Sequence, residues 1–214
     1  MHLTPDRLDA LADLDLPCRT CLHWELDPVR RARVSDAVEA DAEKHAWLST
    51  VLREWGSCGR VAIVDDLLVG FVVYAPAAFV PGAAGYPTAP VSGDAVLLTA
   101  LRVAPSYAGG GLGRMLVQGM ARDLIERGGV RAVEAFGDSR ASGGRCLVPT
   151  DFLARVGFRT YRPHPRTPRM RMDLRSVLTW RDEVEVAIER LVSAVRPKPA
   201  PVPEARREGP AAPH

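Results

Sequence analysis

The chain has 214 residues, 47% of them apolar, and a formal net charge of +2. That length accommodates one sizeable domain with extensions, and the near-neutral balance speaks against bulk polyanion binding, so no nucleic-acid partner is expected. No apolar run approaches a bilayer span, and the amino-terminal MHLTPDRLDALADLDLP is acidic where a secretion signal is basic and apolar. The expectation is a cytoplasmic protein with no membrane partner.

The first distinctive stretch is Cys18-Arg19-Thr20-Cys21-Leu22-His23-Trp24. A CxxC followed by a nearby His, with Cys58 or His45 to complete a tetrahedron, has the donor chemistry of a zinc site. A second CxxC is missing, and Leu22, Trp24 and Leu26 alternate as a strand does. We therefore expect reduced cysteines at a strand edge and no metal. Asp27-Pro28 then joins a capping residue to a first-turn proline, and 29–55 reads as two helices broken near 33–36. Trp47, Leu48, Val51, Leu52 and Trp55 form an apolar stripe at helical spacing.

Residues 59–64 and 68–74 are apolar runs separated by Asp65-Asp66, which predicts a hairpin. The segment 75–94 is rich in Pro, Gly and Ala and carries Phe79, Tyr86 and Ser92. A loop of that length reads either as an acceptor-side lid or as a surface excursion. An apolar run follows, with Leu97, Thr99, Leu101 and Val103 expected on one side, and ends at Pro105. The glycine-dense loop Ala108-Gly109-Gly110-Gly111-Leu112-Gly113 comes next. Leu112, Leu116, Met120 and Leu124 then share one helical face until Gly128-Gly129 stops the helix. Strand, glycine loop and helix start together offer backbone N–H groups to one anion, such as a pyrophosphate. At about 1.5–3 kcal/mol per charge-assisted bond, three or four amides suffice for micromolar binding.

The loop lacks the Gly-Lys-Ser/Thr of a Walker loop, since Gly113 is followed by Arg114-Met115. It also lies mid-chain, unlike a dinucleotide fingerprint. The order Val103-x-Pro105-x-Tyr107-x-x-x-Gly111-Leu112-Gly113-x-x-Leu116 resembles the acetyl-CoA loop of the Gcn5-related N-acetyltransferase (GNAT) superfamily. With its many Ala, Arg, Val and Pro residues and few Lys, the chain looks like an actinobacterial member. The resemblance covers residues 59–174, and Asp151 to Phe158 is similar to the short helix and Gly-Phe turn before the last two strands. It implies an α/β fold with a mixed, twisted sheet of about six to seven strands flanked by helices. The domain is expected over 1–175, an extra amphipathic C-terminal helix over 176–195 and a disordered Pro-rich tail over 196–214. That helix has a face suited to docking on the core or pairing two subunits into a homodimer.

The function implied is acetyl transfer from acetyl-CoA, as co-substrate, to a primary amine of a small molecule or protein. By position, Leu101, Arg102 and Val103 line pantetheine, and Ala108, Gly109, Gly110, Gly111, Leu112, Gly113 and Arg114 surround the phosphates. Relatives usually carry Arg or Gln where this chain has Ala108, and often Arg at Gly110, so the expectation is either weaker cofactor binding or compensation by Arg114. The resemblance implies Glu134 as the base, with Asp138 behind it. The acid tyrosine of many relatives is Leu153 here, and the preceding Asn is Cys146, leaving Tyr107, Tyr161 and His164 as substitutes. The basic hairpin 161–169 has the charge to read a carboxylate or phosphate on the acceptor. The alternative is a catalytically weak acyl-CoA-binding or interaction module on the same fold.

Overall fold

Helix starts and turns follow their local chemistry. In the computed structural model, which describes residues 1–9, 20–140 and 146–175, Asp27 caps the short helix α2 (Pro28–Arg31) by accepting from the amides of Val29 and Arg30. A first helix, α1, spans Pro5–Asp9. Asp36 caps α3 (Ala37–Glu54) through the amide of Glu39. The strands β1 (Gly59–Val64) and β2 (Leu67–Pro76) are joined at Asp65 and Asp66, whose φ angles of 49° and 61° fit a tight hairpin turn. The C-terminal helix expected over 176–195, the tail over 196–214 and Cys18 lie outside the described residues.

The remaining elements are β3 (Ala95–Val103), α4 (Leu112–Arg127), β4 (Ala132–Asp138), β5 (Val148–Pro149), α5 (Thr150–Arg155), β6 (Arg159–Arg162) and β7 (Arg169–Asp173). They complete a seven-stranded mixed sheet in the order β1-β2-β3-β4-β7-β6, with β5 paired to β4. β3 and β4 run parallel, and the other neighbours on the main path are antiparallel. The mixed α/β class expected from the sequence is the class observed.

Two apolar layers cover the sheet. One contains Leu48 and Val51 of α3, Phe71, Leu97 and Phe136, together with Trp24, Val80 and Ala83 from the connecting segments. The other packs Leu116, Met120 and Leu124 of α4, with Leu153 and Phe158, onto Val133 and Ala135. Segment 77–94 is thus a packed wall, with two 3-10 turns and the buried residues Val80, Ala83 and Val91.

Two local expectations are corrected. Leu22, Trp24 and Leu26 are all buried, yet the segment is a turn in which the Leu26 amide donates to the Leu22 carbonyl at 3.2 Å. Alternation reports burial here and not strand geometry. In β3, Leu98 pairs with Tyr74 and Ala100 with Val73, so Thr99 is an extra residue in the ladder. This bulge flips the side-chain phase: Leu97 packs in the α3 layer, whereas Leu101 and Val103 pack in the α4 layer.

Candidate active site

The bulge lies where β3 and β4 separate. Their parallel pairing covers Ala95 with Ala132, Val96 with Val133 and Leu97 with Glu134, and beyond it the two strands part. Past Glu134, β4 pairs instead with β5, Gly137 with Val148 and Asp138 with Pro149. Among the described residues, β3 from Leu98 onward has a strand neighbour on the β2 side only. An unpaired strand edge offers backbone donors and acceptors to an extended ligand with amides of its own.

At the end of that edge a cleft of about 530 Å³ is lined by Leu101, Val103, Tyr107, Ala108, Gly109, Gly111, Leu112, Gly113 and Arg114 on one side, and by β5 and α5 on the other. The loop needs its glycines. Gly109 and Gly111 have φ of +84° and +85°, the left-handed region where a side chain is strained. Gly111 is the N-cap of α4 and supplies no side-chain hydrogen bond, so the first-turn amides at Leu112, Gly113 and Arg114 keep their donors available in the cleft wall. A Cβ placed on Gly109 or Gly111 would meet nothing within 4 Å, and one on Gly110 only the Tyr107 carbonyl at 3.8 Å. The cradle therefore has room for a bulky anion. Gly113 plays a different part: its Cβ would lie 3.1 Å from the Phe152 ring, so its lack of a side chain lets α4 and α5 close together.

Of the residues expected around the cofactor, Arg102 and Gly110 stand outside the cleft lining. Arg102 Nη1 donates to the Leu101 carbonyl at 2.8 Å. Arg114 lines the cleft, but its Nη2 donates to the Arg155 carbonyl at 3.0 Å, tying α4 to the end of α5.

Glu134 is completely buried. Arg169 Nη1 lies 3.0 Å from its Oε2 and Arg171 Nη1 3.2 Å from its Oε1, and the Ser92 amide donates to Oε2 at 3.2 Å. Arg171 also grips Asp94 through two bonds of 2.9 Å, and these partners raise its already high pKa, the Asp94 hydrogen bonds most of all. Arg169 donates to the Pro90 carbonyl. The basic hairpin thus spends its last arginine, Arg169, on an internal carboxylate, and β7 spends Arg171 likewise. Asp138 is buried and holds Arg140 through both oxygens. His164 Nδ1 accepts from the Thr167 amide at 3.0 Å and shapes the turn before β7. Leu153 is wholly buried.

On the α3 side of the sheet, Tyr86 stacks on Phe136 with ring centroids 4.4 Å apart and on Trp24 at 5.2 Å. Phe136 is two residues beyond the last β3–β4 pair, so Tyr86 covers the parted stretch of β4. Its hydroxyl lies 2.6 Å from His23 Nε2, and Arg31 Nη1 lies 3.1 Å from His23 Nδ1. A guanidinium only donates, so Nδ1 accepts and the neutral ring carries its proton on Nε2, donating to Tyr86 Oη. Burial, reinforced by Arg31 against the pull of Glu25, holds His23 below its ordinary pKa and keeps it neutral. Burial likewise raises Tyr86, which keeps its proton. The wall is closed by Gly82, whose amide donates to the Trp24 carbonyl and where a Cβ would collide with the His23 carbonyl at 2.0 Å. From sequence, His23 has only the donor chemistry of a metal site that is not expected to form, and Tyr86 is one residue of a long loop; only the tertiary contact of segments more than sixty residues apart joins them.

Residues 16–142 match the profile described as "Acetyltransferase (GNAT) family". Three solved structures share the fold: ribosomal-protein-alanine N-acetyltransferase from Brucella melitensis, the GphF GNAT-like decarboxylase in complex with isobutyryl-CoA, and a protein described as an acetyltransferase. The first is 20% identical with a TM-score of 0.50, covering 81% of this chain and 96% of that one. The second is 20% identical with a TM-score of 0.51, over 81% and 98%. The third is 16% identical with a TM-score of 0.52, again over 81% and 98%. No curated protein matches the chain at the sequence level. Among the described residues no helix is long and apolar enough to cross a membrane. With a matched profile that spans more than half its length, the chain belongs to the acetyltransferase (GNAT) family.

Proposed function

We propose that the chain transfers an acetyl group from acetyl-CoA to the primary amine of a small molecule or protein. The observation that carries this reading is one continuous feature: the parting of β3 and β4 beyond Leu97 and Glu134, leading to the uncapped glycine start of α4. The unpaired β3 edge after the Thr99 bulge suits pantetheine, and the loop amides suit the pyrophosphate. On the same fold, the GphF decarboxylase was solved with isobutyryl-CoA, which supports an acyl-CoA in this cleft. The alanine N-acetyltransferase neighbour supports an amine as acceptor.

Attack of an amine on a thioester requires loss of a proton, stabilisation of an oxyanion and protonation of the leaving thiolate. Amides of β3 near Leu101 are the oxyanion donors in this reading. Glu134 stands at the vertex of the parting strands, but arginines occupy both its oxygens. It acts as a positioning residue that fixes β4 and β7 beside the reaction, and deprotonation of the amine falls to solvent at the acceptor face. Tyr86, protonated and held by His23, is the acid on the wall facing the open part of β4. It supplies, from the opposite face of the sheet, the role that the buried Leu153 cannot fill.

An acceptor screen with acetyl-CoA, following release of CoA thiol and the acetylated amine by mass spectrometry, tests the reading. Transfer to at least one amine that is lost in Tyr86→Phe supports it. Acetyl-CoA binding without transfer across small amines and peptide N-termini favours the second reading, a binding module, for which the burial of Leu153 speaks.

A further inference from the structure

Two thiols outside the cofactor cradle face each other across 125 positions of sequence. Cys21 Sγ and Cys146 Sγ are 3.2 Å apart. The backbones that carry them are already docked: Trp24 Nε1 donates to the Cys146 carbonyl at 3.1 Å, and Lys44 Nζ donates to the Cys21 carbonyl at 2.7 Å. Both cysteines line an open pocket of about 450 Å³ that also exposes His23, Arg31 and Ser35, wide enough for a small oxidant. Cys58 provides the contrast, fully buried and with its thiol pushed up to about 12 by burial.

The geometry distinguishes a dithiol from a metal centre. Two thiolates bound to zinc at about 2.3 Å in tetrahedral geometry stand about 3.8 Å apart. A separation of 3.2 Å is too short for that, and closing to a disulfide at about 2.05 Å needs a movement of about 1 Å, within reach of side-chain rotation. Neither cysteine is part of the glycine cradle, yet Cys146 lies two residues before Val148, which lines the acyl-CoA cleft.

We propose that Cys21 and Cys146 are a reversible oxidation site for hydroperoxides, whose disulfide locks the acceptor-side wall to the segment that enters β5. The Cys21 thiolate attacks the O–O bond of hydrogen peroxide, giving a sulfenic acid and hydroxide. The Cys146 sulfur then attacks the Cys21 sulfur, the S–O bond breaks and water leaves. Overall, two thiols and one peroxide give one disulfide and two waters. Cys21 is the attacking group because the hydrogen bond from Cys146 outweighs burial and brings its thiol down to about 6, with help from the His23 amide and Lys44. The disulfide itself is independent of the proposed transferase reading; only its effect on acceptor access rests on it.

The test treats the full-length protein with hydrogen peroxide near stoichiometry, alkylates remaining thiols, and maps peptides by mass spectrometry without reduction. The expected result is a Cys21–Cys146 linkage that dithiothreitol reverses, with Cys58 alkylated only after unfolding, and a Tm that rises by several degrees on oxidation. In Cys146→Ser, Cys21 is expected to accumulate as a sulfenic acid trapped by dimedone. A Cys18–Cys21 linkage, persistence of both thiols under conditions that oxidise Cys58, or zinc retained stoichiometrically by the purified protein would each overturn the proposal. These readouts do not use acetyl transfer, so failure of the transferase reading leaves them intact.

Discussion

Arg169 and Glu134 form an ion pair of 3.0 Å in which both side chains are shut away from solvent, at 4% and 0% exposure. Removing one charge of such a pair strands the other in a medium that solvates it poorly. Arg169 has little slack, because its Nε is already buried without a hydrogen-bond partner. Glu134→Ala is therefore expected to cost about 3–5 kcal/mol of stability, read by urea unfolding. Glu134→Gln keeps the shape and loses less. Because we assign Glu134 to positioning, its Gln variant should lose activity and stability together; lost activity at full stability would identify it as the proton acceptor.

A second pair, the buried Asp123 with the half-buried Arg60, sets an acid limit on the fold. Arg60 Nε lies 2.6 Å from Asp123 Oδ2, a second guanidinium nitrogen meets Oδ1, and Tyr74 Oη donates to Oδ2 at 3.0 Å. Burial pushes the Asp123 carboxyl up, but the Arg60 and Tyr74 hydrogen bonds outweigh it and hold the pKa below 3.8. A depressed folded pKa means that stability is fully present above the unfolded value and disappears as pH falls through the folded one. Wild-type stability should decline below about pH 4. Asp123→Asn should be less stable at pH 7, and the gap to wild type should narrow toward pH 3. A gap independent of pH would show that the carboxylate charge contributes nothing.

Tyr86→Phe removes one hydroxyl from a stacked ring and leaves the stack on Phe136 in place. If Tyr86 supplies the proton to the leaving thiolate, kcat should fall by about 100-fold or more with little change in the KM for acetyl-CoA. Unchanged kcat would return the hydroxyl to a packing role beside His23.

Gly113 tests how closely α4 and α5 must meet. A Cβ there lies 3.1 Å from two atoms of the Phe152 ring, so Gly113→Val should force the cleft walls apart. The expected effect is an acetyl-CoA Kd raised about tenfold, recovered in part by Phe152→Leu. Additive losses in the double variant would mean that the two residues do not communicate.

Local chemistry was readable from the sequence wherever a single segment carried it. The Asp27 cap, the helix break near 33–36, the Asp65-Asp66 turn and the stop of α4 at Gly128 all depend on neighbouring residues. The bulge at Thr99 was not readable, because β3 is buried on both faces and its apolar run carries no phase information. Glu134 looked like an available carboxylate because its partners Arg169 and Arg171 come 35 and 37 positions later and Ser92 42 positions earlier. Leu22 to Leu26 alternated without being a strand, since a turn pressed into the core buries residues by contact and not by pleat. Pairings of distant segments, Cys21 with Cys146 and His23 with Tyr86, leave no periodic trace.

The most direct test of the acyl-CoA cleft is a calorimetric titration of acetyl-CoA into the wild type and a Gly110→Glu variant. Position 110 lies outside the left-handed backbone region and has open space for a side chain. Gly110 stands between two lining residues, Gly109 and Gly111, so the substitution adds negative charge at the rim of the cradle without straining the loop. Micromolar binding by the wild type that vanishes in Gly110→Glu, with Tm unchanged, is the predicted result. Equal binding by both proteins, or none by the wild type, would contradict the assignment of the glycine loop to the cofactor phosphates.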